Sequence, residues 1–338
     1  KSVCYDNGKF VTIAYNSNKA AYTNSKNITS DIDYINQCSK ALSSNKGSFN
    51  INNWNNDNLN ISIQNAQGLS YGNGVFFSPC NTNTLDHIYS TDGITWKKAN
   101  FSESVLLSDS CFGDYNGGRF VTVSYGSNKA YYSDDGINWT ATTLPSSNNW
   151  NCVCYGNGKY VALVYGGSAI AYSTDGKSWS STSDYSGNWQ SVCYGNSKFV
   201  AVSSGGSYYS MYSSNGTSWS SSSPGSYSWS KVRYGNGYFV TIARNSNKAA
   251  YSTSGSSWTS VSLPLTQDWC GLAYGDGIFV AVAANSDKAA YSNDNGKTWN
   301  TINLNVTANW SSVCYGNGKF IIMDYNGNKI CYSLKYKK

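Results

Sequence analysis

The tryptophans of this chain recur with a fixed period, and that period constrains the fold more than any other feature. All but Trp54 of the 12 tryptophans fall into two registers, each with a spacing of about 40 residues. The first register ends a motif that reads S-x-D-G-x-x-W in its best copies, at Trp96, Trp139, Trp179, Trp219, Trp258 and Trp299. The second precedes a V-x-Y-G-N-G motif, at Trp150, Trp189, Trp229, Trp269 and Trp310. Such a period indicates a repeat protein, in which recurring residues are expected to be structural.

Each repeat predicts four short antiparallel strands. In the copy that begins at Trp229, β-rich segments cover residues 232–234, 239–243 and 249–252, and a fourth ends near Leu263. G-N-G joins the first two segments as a hairpin turn, because its positive-φ positions require Gly or Asn. Four strands in about 40 residues, repeated in series, are typical of a β-propeller blade.

The number of hairpin-turn tyrosines predicts the number of blades. Units begin near Tyr5, Tyr71, Tyr115, Tyr155, Tyr194, Tyr234, Tyr274 and Tyr315. We therefore predict an all-β propeller of eight four-stranded blades, with seven as the alternative, forming one domain over residues 1–338. The first unit carries an Asn-rich insertion at about residues 24–53. The last unit stops after its third strand, so its blade is expected to be three-stranded or completed by another segment.

The tryptophan-ending motif resembles the Asp-box of sialidase-like (BNR) β-propellers, whose pattern is S-x-D-x-G-x-T-W. The match is closest at Ser292, Asp294, Gly296, Thr298 and Trp299. The resemblance implies a propeller in which the acid has a structural role, with its carboxylate capping the backbone N–H groups of a tight turn. The acids in question are Asp92, Asp135, Asp175 and Asp294. One acid per turn offers too few oxygen ligands for calcium, so we predict no metal site.

Catalytic residues of the resembled family are poorly matched. Sialidases use three arginines, a tyrosine paired with a glutamate, and an aspartate. The arginines here are Arg119, Arg233 and Arg244, and strand polarity directs the first and the last toward opposite faces of the disc. Glu103 lies in an inter-blade loop, and His87 alone builds no Ser-His-Asp arrangement. We predict that the chain is not an enzyme and uses no cofactor.

The loops that face away from the Y-G-N-G turns are the candidate binding surface, because variable loops on a rigid scaffold are where recognition usually occurs. The candidate rim residues are Lys19, Lys129, Lys248, Lys288, Lys329, Tyr185 and Tyr227. Two roles remain open for this rim. The chain is predicted to be a structural or adhesive building block of an extracellular, fibre-like assembly. The alternative is a glycan-binding, lectin-like propeller.

The composition limits the classes of partner and the cellular location that are expected. Only 12% of residues are charged, which suits a secreted or surface-displayed protein. The net charge of +6 is spread over scattered lysines, so nucleic acid is not expected as a partner. No apolar run is long enough to span a membrane. Self-association or a glycan-bearing cell surface is the expected partner.

Two sets of residues are candidates for covalent modification. Most cysteines share repeat positions and are expected to be buried thiols. Cys38 and Cys80 lie in irregular segments and are the candidate disulfide. The candidate glycosylation sites are Asn27, Asn60, Asn100, Asn305 and Asn309.

Overall fold

The computed structural model describes residues 2–6, 9–13, 20–24, 54–61, 64–326 and 329–333. Contacts divide the chain into two compact units, residues 1–49 with 335–338 and residues 50–334. The Asn-rich insertion at about residues 24–53 lies almost entirely outside the described residues, and so does Lys19.

The first unit contains an antiparallel three-stranded sheet. Its strands are β1 (Ser2–Asp6), β2 (Lys9–Ile13) and β3 (Ala20–Asn24), in the order β1-β2-β3. The pairing of Cys4 with Val11 sets the register of the first two strands. The first sequence repeat thus forms a sheet in a unit of its own.

In the second unit, the described strands form six antiparallel sheets, five with four strands and one with six. The first four-stranded sheet contains β5 (Ser70–Gly72), β6 (Val75–Ser78), β7 (Ile88–Ser90) and β8 (Lys97–Lys98). The next contains β9 (Leu107–Gly113), β10 (Arg119–Ser124), β11 (Ser127–Ser133) and β12 (Thr140–Asn148). A short 3-10 turn, Tyr115–Gly117, joins β9 to β10.

Two sequence repeats share the six-stranded sheet. Its strands are β13 (Trp150–Gly156), β14 (Lys159–Ser173), β15 (Ser180–Gly195), β16 (Lys198–Ser203), β17 (Ser210–Ser213) and β18 (Ser220–Ser222). The first half of β14 pairs with β13 and its second half with β15. Likewise, the second half of β15 pairs with β16. Hydrogen bonding therefore continues from one repeat into the next.

The remaining sheets follow the four-strand pattern. One contains β19 (Trp229–Gly235), β20 (Tyr238–Ala243), β21 (Ser246–Ser252) and β22 (Thr259–Gln267). Another contains β23 (Trp269–Gly275), β24 (Ile278–Ala283), β25 (Ser286–Ser292) and β26 (Asn300–Ala308). The last contains β27 (Trp310–Gly316), β28 (Lys319–Asp324), β29 (Lys329–Ser333) and β4 (Trp54–Asn58).

The last sheet joins the two ends of the second unit. β4 precedes all other strands of this unit, yet it pairs antiparallel with β29, with Asn56 opposite Cys331. The Asn56 side chain also donates a hydrogen bond of 2.7 Å to the carbonyl of Leu304 in β26. β4 therefore supplies the fourth strand that the last repeat lacks in sequence.

The second unit is an all-β propeller, as predicted, but the predicted number of blades is wrong. Eight four-stranded blades were expected, with seven as the alternative, whereas the described strands of this unit form six sheets. The prediction counted repeat motifs, and a motif does not show with which sheet its strands hydrogen-bond. The first repeat forms the separate three-stranded sheet, and two further repeats share one sheet. The unit assigned to Tyr115 was also misplaced, because Phe112 occupies the position equivalent to Tyr155.

The first strand of each repeat lines the centre of the ring. Neighbouring first strands pack together in the order β5, β9, β13, β15, β19, β23 and β27, and β27 packs back against β5. At the contact between first strands, a glycine of one repeat meets an aromatic ring of the next. A Cβ atom on Gly235, for example, would lie 2.1 Å from Cγ of Tyr274. The glycine of the recurring Y-G pair therefore allows the aromatic ring of the next repeat to pack closely against it.

Both tryptophan registers contribute to the core. The tryptophans that begin a first strand are almost fully buried, and their indole N–H groups donate to backbone carbonyls, as Trp229 Nε1 does to Gly225 at 2.8 Å. In the first register, Trp96 is fully buried and Trp139 is 6% exposed. Large indole surfaces buried between sheets are a major source of folding free energy in this architecture.

Candidate functional site

The hairpin turns and loops of the propeller lie at two rims. The Y-G-N-G turns contact the tryptophan-ending turns of other repeats: Asn196 Nδ2 donates to the carbonyl of Thr253 at 2.9 Å, and Lys319 Nζ donates to that of Asp92 at 3.0 Å. We call this side the turn rim. The loops that precede the first strands, together with the turns between the second and third strands, form the loop rim.

On the turn rim, the predicted turn acids accept hydrogen bonds from the backbone. Asp92 Oδ1 accepts from the N–H groups of Ile94 at 2.8 Å and Thr95 at 2.7 Å, and from Ser90 Oγ at 2.9 Å. Asp135, Asp175 and Asp294 make equivalent contacts. Asn215 holds its turn in the same way through Oδ1. These side chains are used within their own turns.

The same contacts predict a pH dependence of stability. Burial tends to raise the pKa of Asp135, but hydrogen bonds from Asn138, Ile137 and Ser133 outweigh it, so the pKa lies below the ordinary 3.8. The pKa values of Asp92, Asp175 and Asp294 are lowered in the same way. Because folding lowers these pKa values, the stabilisation is present above the unfolded-state pKa and is lost as the pH falls through the folded-state value.

Replacing all four turn acids with asparagine is therefore expected to flatten the dependence of stability on pH below about pH 4. Asparagine retains the oxygen that accepts the backbone bonds, as Asn215 does in its own copy, so the variant should remain folded at pH 7. Urea unfolding between pH 3 and pH 7 measures both effects. Identical pH slopes for the variant and the wild type would contradict this explanation.

The candidate lysines of the loop rim lie in different sheets and have separate surroundings. Lys129 forms an ion pair with Glu103, which also accepts a hydrogen bond of 2.8 Å from the Tyr131 hydroxyl. Lys288 pairs with Asp287 at 2.8 Å. Lys329 Nζ donates to the carbonyl of Thr307 at 3.2 Å. Lys248, at the same repeat position in β21, uses its backbone N–H to bind Ser246 Oγ at 3.0 Å. These lysines do not converge on one ligand position.

Four tyrosines from neighbouring repeats also lie on the loop rim. Tyr185 packs edge-to-face against Tyr208, with ring centroids 4.5 Å apart. Tyr227 is 39% exposed and lies edge-on to Trp229, with centroids 5.7 Å apart. Tyr165 lies at the junction between the half of β14 that pairs with β13 and the half that pairs with β15, and it is 37% exposed. We call these four tyrosines the aromatic rim cluster. Sequence reasoning named Tyr185 and Tyr227 but missed Tyr165 and Tyr208. Tyr165 gave no distinctive signal, because Tyr125 and Tyr325 occupy the same position in other copies.

The described glycosylation candidates differ in their surroundings. Asn60 is engaged on both sides by Trp96: its Nδ2 donates to the carbonyl and its Oδ1 accepts from the N–H, both at 2.9 Å. Asn100 Nδ2 donates to Asn138 Oδ1 at 2.7 Å. Asn305 is exposed, and Asn309 is half-buried. Asn27 lies outside the described residues.

Cys80 is a free thiol in the described structure, and Cys38, its predicted disulfide partner, lies outside the described residues. Cys80 is fully buried beside His87, whose Nδ1 accepts a hydrogen bond of 3.1 Å from the Cys80 backbone N–H. Burial raises the pKa of Cys80 to about 12 and lowers that of His87 to about 4, which keeps both side chains neutral. Among the described residues, no group of three or more His, Cys, Asp or Glu side chains is arranged to hold a metal ion.

A charged group that sequence reasoning did not recognise lies at the centre of the ring. Lys231 and Arg233 are two residues apart on β19, and Asp109 lies on β9. Burial lowers the pKa of Lys231, and the negative charge of Asp109 partly offsets this effect. Since β9 is not a neighbour of β19, this electrostatic interaction crosses the space that the first strands enclose. We call that space the central channel.

The three arginines have separate partners. Arg119 Nε donates to Asp134 at 2.6 Å and Nη1 donates to the carbonyl of Asp175 at 2.6 Å, which fixes turns on the turn rim. Arg244 pairs with Asp268 at 3.0 Å on the loop rim. Arg233 donates to Ser191 Oγ at 3.1 Å in the channel. The described structure does not bring Arg119 together with the other two.

Comparison with solved structures supports the propeller fold. The chain is similar to a streptogramin B lyase, with a TM-score of 0.71 and 13% identity over 82% of this chain and 97% of that one. It is also similar to virginiamycin B lyase from Staphylococcus aureus, with a TM-score of 0.71 and 12% identity over 83% and 99% of the two chains. YCF48 in complex with a D1 peptide gives a TM-score of 0.64 and 18% identity, covering 84% of this chain and 98% of that one.

At these identities the likeness concerns the fold alone. No protein-family model and no curated protein sequence matches the chain. Within the described residues, there is no helix of the length and apolar character needed to cross a membrane.

Proposed function

We propose that the chain is a non-enzymatic, extracellular adhesive propeller that binds glycans through its aromatic rim cluster. The observation that carries this proposal is the exposure of Tyr165 and Tyr227 on the loop rim, where the ring of Tyr227 packs edge-on against Trp229. Tyrosine offers a rigid apolar face and a hydroxyl at a low cost in conformational entropy. A sugar presents the complementary apolar faces and hydroxyl groups.

Neighbouring polar side chains suit the same ligand. The loops that carry the cluster are rich in serine, glycine and asparagine, as in S-D-Y-S-G-N at residues 183–188 and S-P-G-S-Y-S at residues 223–228. Short polar side chains of this kind provide adaptable hydrogen bonding around aromatic anchors. Among the similar structures, YCF48 has a peptide bound, so this fold can carry a recognition surface, although fold alone does not assign one.

The state of the acids and bases supports a role without catalysis. Glu103 is paired with Lys129, and the turn acids are occupied by their own backbone N–H groups. His87 is buried and neutral, and it faces Cys80 inside the core. General acid–base chemistry requires a titratable group that can reach a substrate, and none of these groups is free to do so.

An extracellular location is compatible with the free thiols. Burial raises the pKa of the described cysteines, to about 12 for Cys193, Cys270, Cys314 and Cys331. Because the thiolate is the reactive form, buried thiols with raised pKa values resist oxidation. The low share of charged residues also suits display outside the cell.

A glycan array tests the adhesive function directly. The wild-type chain is expected to bind a defined set of glycans, and Tyr227→Ala is expected to weaken that binding about tenfold, as loss of an aromatic anchor typically does. Tyr238→Ala is the matched control, because Tyr238 is a half-buried tyrosine that follows a Y-G-N-G turn on the turn rim. Absence of binding to every glycan at high protein concentration, or equal loss in both variants, would refute the proposal.

A second candidate is a building block of an extracellular, fibre-like assembly. It is favoured by the three-stranded sheet of the first unit, in which β3 pairs with β2 on one side and with no described strand on the other. Such an edge can accept a strand from another chain. Sedimentation and electron microscopy of the purified chain distinguish the candidates, since a purely monomeric chain at high concentration excludes assembly.

A further inference from the structure

Two repeat positions, in or directly beside each first strand, determine the polarity and charge of the central channel. One lies two residues after the tryptophan of the second register, or after Ala66 and Leu107 in the copies that lack this tryptophan, and the other lies directly before the tyrosine or phenylalanine of the Y-G pair. Most copies place small neutral residues there, namely Gly68, Cys152, Ser191, Gly271 and Ser312 at the first position and Ser70, Cys111, Cys154, Cys193, Ala273 and Cys314 at the second. The exceptions are Asp109, Lys231 and Arg233. The repeat therefore folds without long charged side chains at these positions, so their presence needs a separate explanation.

The side chains of β19 reach into the channel. Arg233 extends to the neighbouring first strand, where its Nη1 donates to Ser191 Oγ at 3.1 Å. Its positive charge also acts on the Cys314 thiol of β27, which is not adjacent to β19. Lys231 interacts electrostatically with Asp109 and Cys152 on other first strands. Both cations therefore face the enclosed space.

Among the described residues, protein groups accept only a few of the hydrogen bonds that these two cations can donate. Arg233 makes its two bonds, to Ser191 Oγ and to the carbonyl of Val232, through Nη1 alone. In the described part of the chain, the Lys231 ammonium has no hydrogen-bond acceptor, and no carboxylate lies within ion-pair distance of either cation. Both side chains are half-buried, so water solvates their remaining donors, and an anionic ligand would replace that water as the acceptor.

The charge of the channel indicates the charge of that ligand. Asp109 is the one described acid at the inward positions, and its Oδ2 accepts a hydrogen bond of 3.1 Å from the N–H of Val153 on the neighbouring first strand, β13. The channel cysteines are neutral because burial raises their pKa values. Two cations and one carboxylate leave a single positive charge, which matches a monoanion.

We propose that the central channel binds a small organic monoanion through its carboxylate, held between the Arg233 guanidinium and the Lys231 ammonium. The planar guanidinium presents donors that match the two oxygens of a carboxylate, and the ammonium adds a point charge beside it. This site lies inside the ring, whereas the tyrosines proposed to bind glycans lie on the loop rim. The two proposals therefore stand or fall separately.

The arginine content gives a direct test. Because Arg119, Arg233 and Arg244 are the arginines of the chain, protein labelled with [15N]arginine gives three side-chain Nε–H signals in an NMR spectrum. Titration with sodium acetate at constant ionic strength, balanced with sodium chloride, is expected to move the Arg233 signal to saturation. Arg119 is the internal control, because it is already paired with Asp134 and lies on the turn rim. Arg233→Ala assigns its signal by removing it.

The role of Lys231 is tested by a variant that carries the residue found at its position in other copies. Lys231→Ser introduces the residue found at Ser191 and Ser312, so it should fold normally, and it is expected to weaken acetate binding about tenfold. Lys248→Ala on the loop rim should leave the affinity unchanged. The proposal is overturned if the Arg233 signal does not respond, if all three signals move alike, or if Lys231→Ser binds acetate as well as the wild type. Tighter binding of inorganic phosphate than of acetate would overturn the carboxylate assignment.

Discussion

Replacing Gly235 with alanine is expected to lower the free energy of unfolding by at least about 3 kcal/mol, at the upper end of what overpacking costs. The added Cβ atom would lie 2.1 Å from Cγ, 2.3 Å from Cδ2 and 2.4 Å from Cδ1 of Tyr274, well inside the ring's van der Waals radius. Tyr274 has little room to move, because its ring packs against Phe279 with centroids 4.7 Å apart. The clash therefore pushes neighbouring repeats apart. Urea unfolding followed by tryptophan fluorescence measures the loss.

Gly237, two residues further along the same hairpin, provides the matched control. It has a φ of +87° and no atom within 4 Å of the position that a Cβ would occupy. Gly237→Ala should cost only the strain of a left-handed backbone, about 1 kcal/mol. If both variants lose the same stability, the glycine of the Y-G pair is needed for its backbone conformation, and close packing between repeats is not the reason.

A disulfide between β4 and β29 is expected to raise the stability of the propeller by about 3–5 kcal/mol, because it closes a very long loop in the unfolded chain. Asn56 lies directly opposite Cys331 in the antiparallel pair, and such residues have Cα atoms close enough for a disulfide. Oxidation of the Asn56→Cys variant should therefore produce a cross-link to the native Cys331. Peptide mapping detects the bond, and denaturant unfolding with and without reductant measures its effect.

The neighbouring residue tests the register. Asp57 lies opposite Ile330, so Asp57→Cys has no thiol across from it and should form no cross-link. Asn56→Cys in a Cys331→Ala background should also remain reduced. Failure of Asn56→Cys to cross-link in the otherwise native chain would mean that residues 54–58 do not complete the last sheet.

Turn chemistry and tryptophan spacing were sufficient to predict the propeller. The Y-G-N-G hairpins form as expected, with φ values of +47° at Asn236 and +87° at Gly237, because both central residues of such a turn need positive φ. The number of sheets was not predictable in this way. Strand partners depend on contacts that are distant in sequence, such as the pairing of β4 with β29, and local motifs do not report them.

The candidate site could be predicted only in part from the sequence, for a similar reason. Irregular loops drew attention to Tyr185 and Tyr227, but sequence alone could not show that Tyr208 packs against Tyr185. Lys231 belongs to none of the local motifs of the sequence, so it gave no signal of its own. Once the first strands are superposed on one another, a lysine among glycine, serine and cysteine is conspicuous. The same comparison identifies Phe112, and not Tyr115, as the equivalent of the hairpin-turn tyrosines.

The pairing of β4 with β29 also imposes an order on biosynthesis. Residues 54–58 leave the ribosome long before their partner strand, residues 329–333, has been translated. Until then the nascent chain holds an unpaired segment, and contacts of such high sequence separation form slowly. The ring is therefore closed only after residues 329–333 have been synthesised, and a chain truncated before them would leave the ring unsealed.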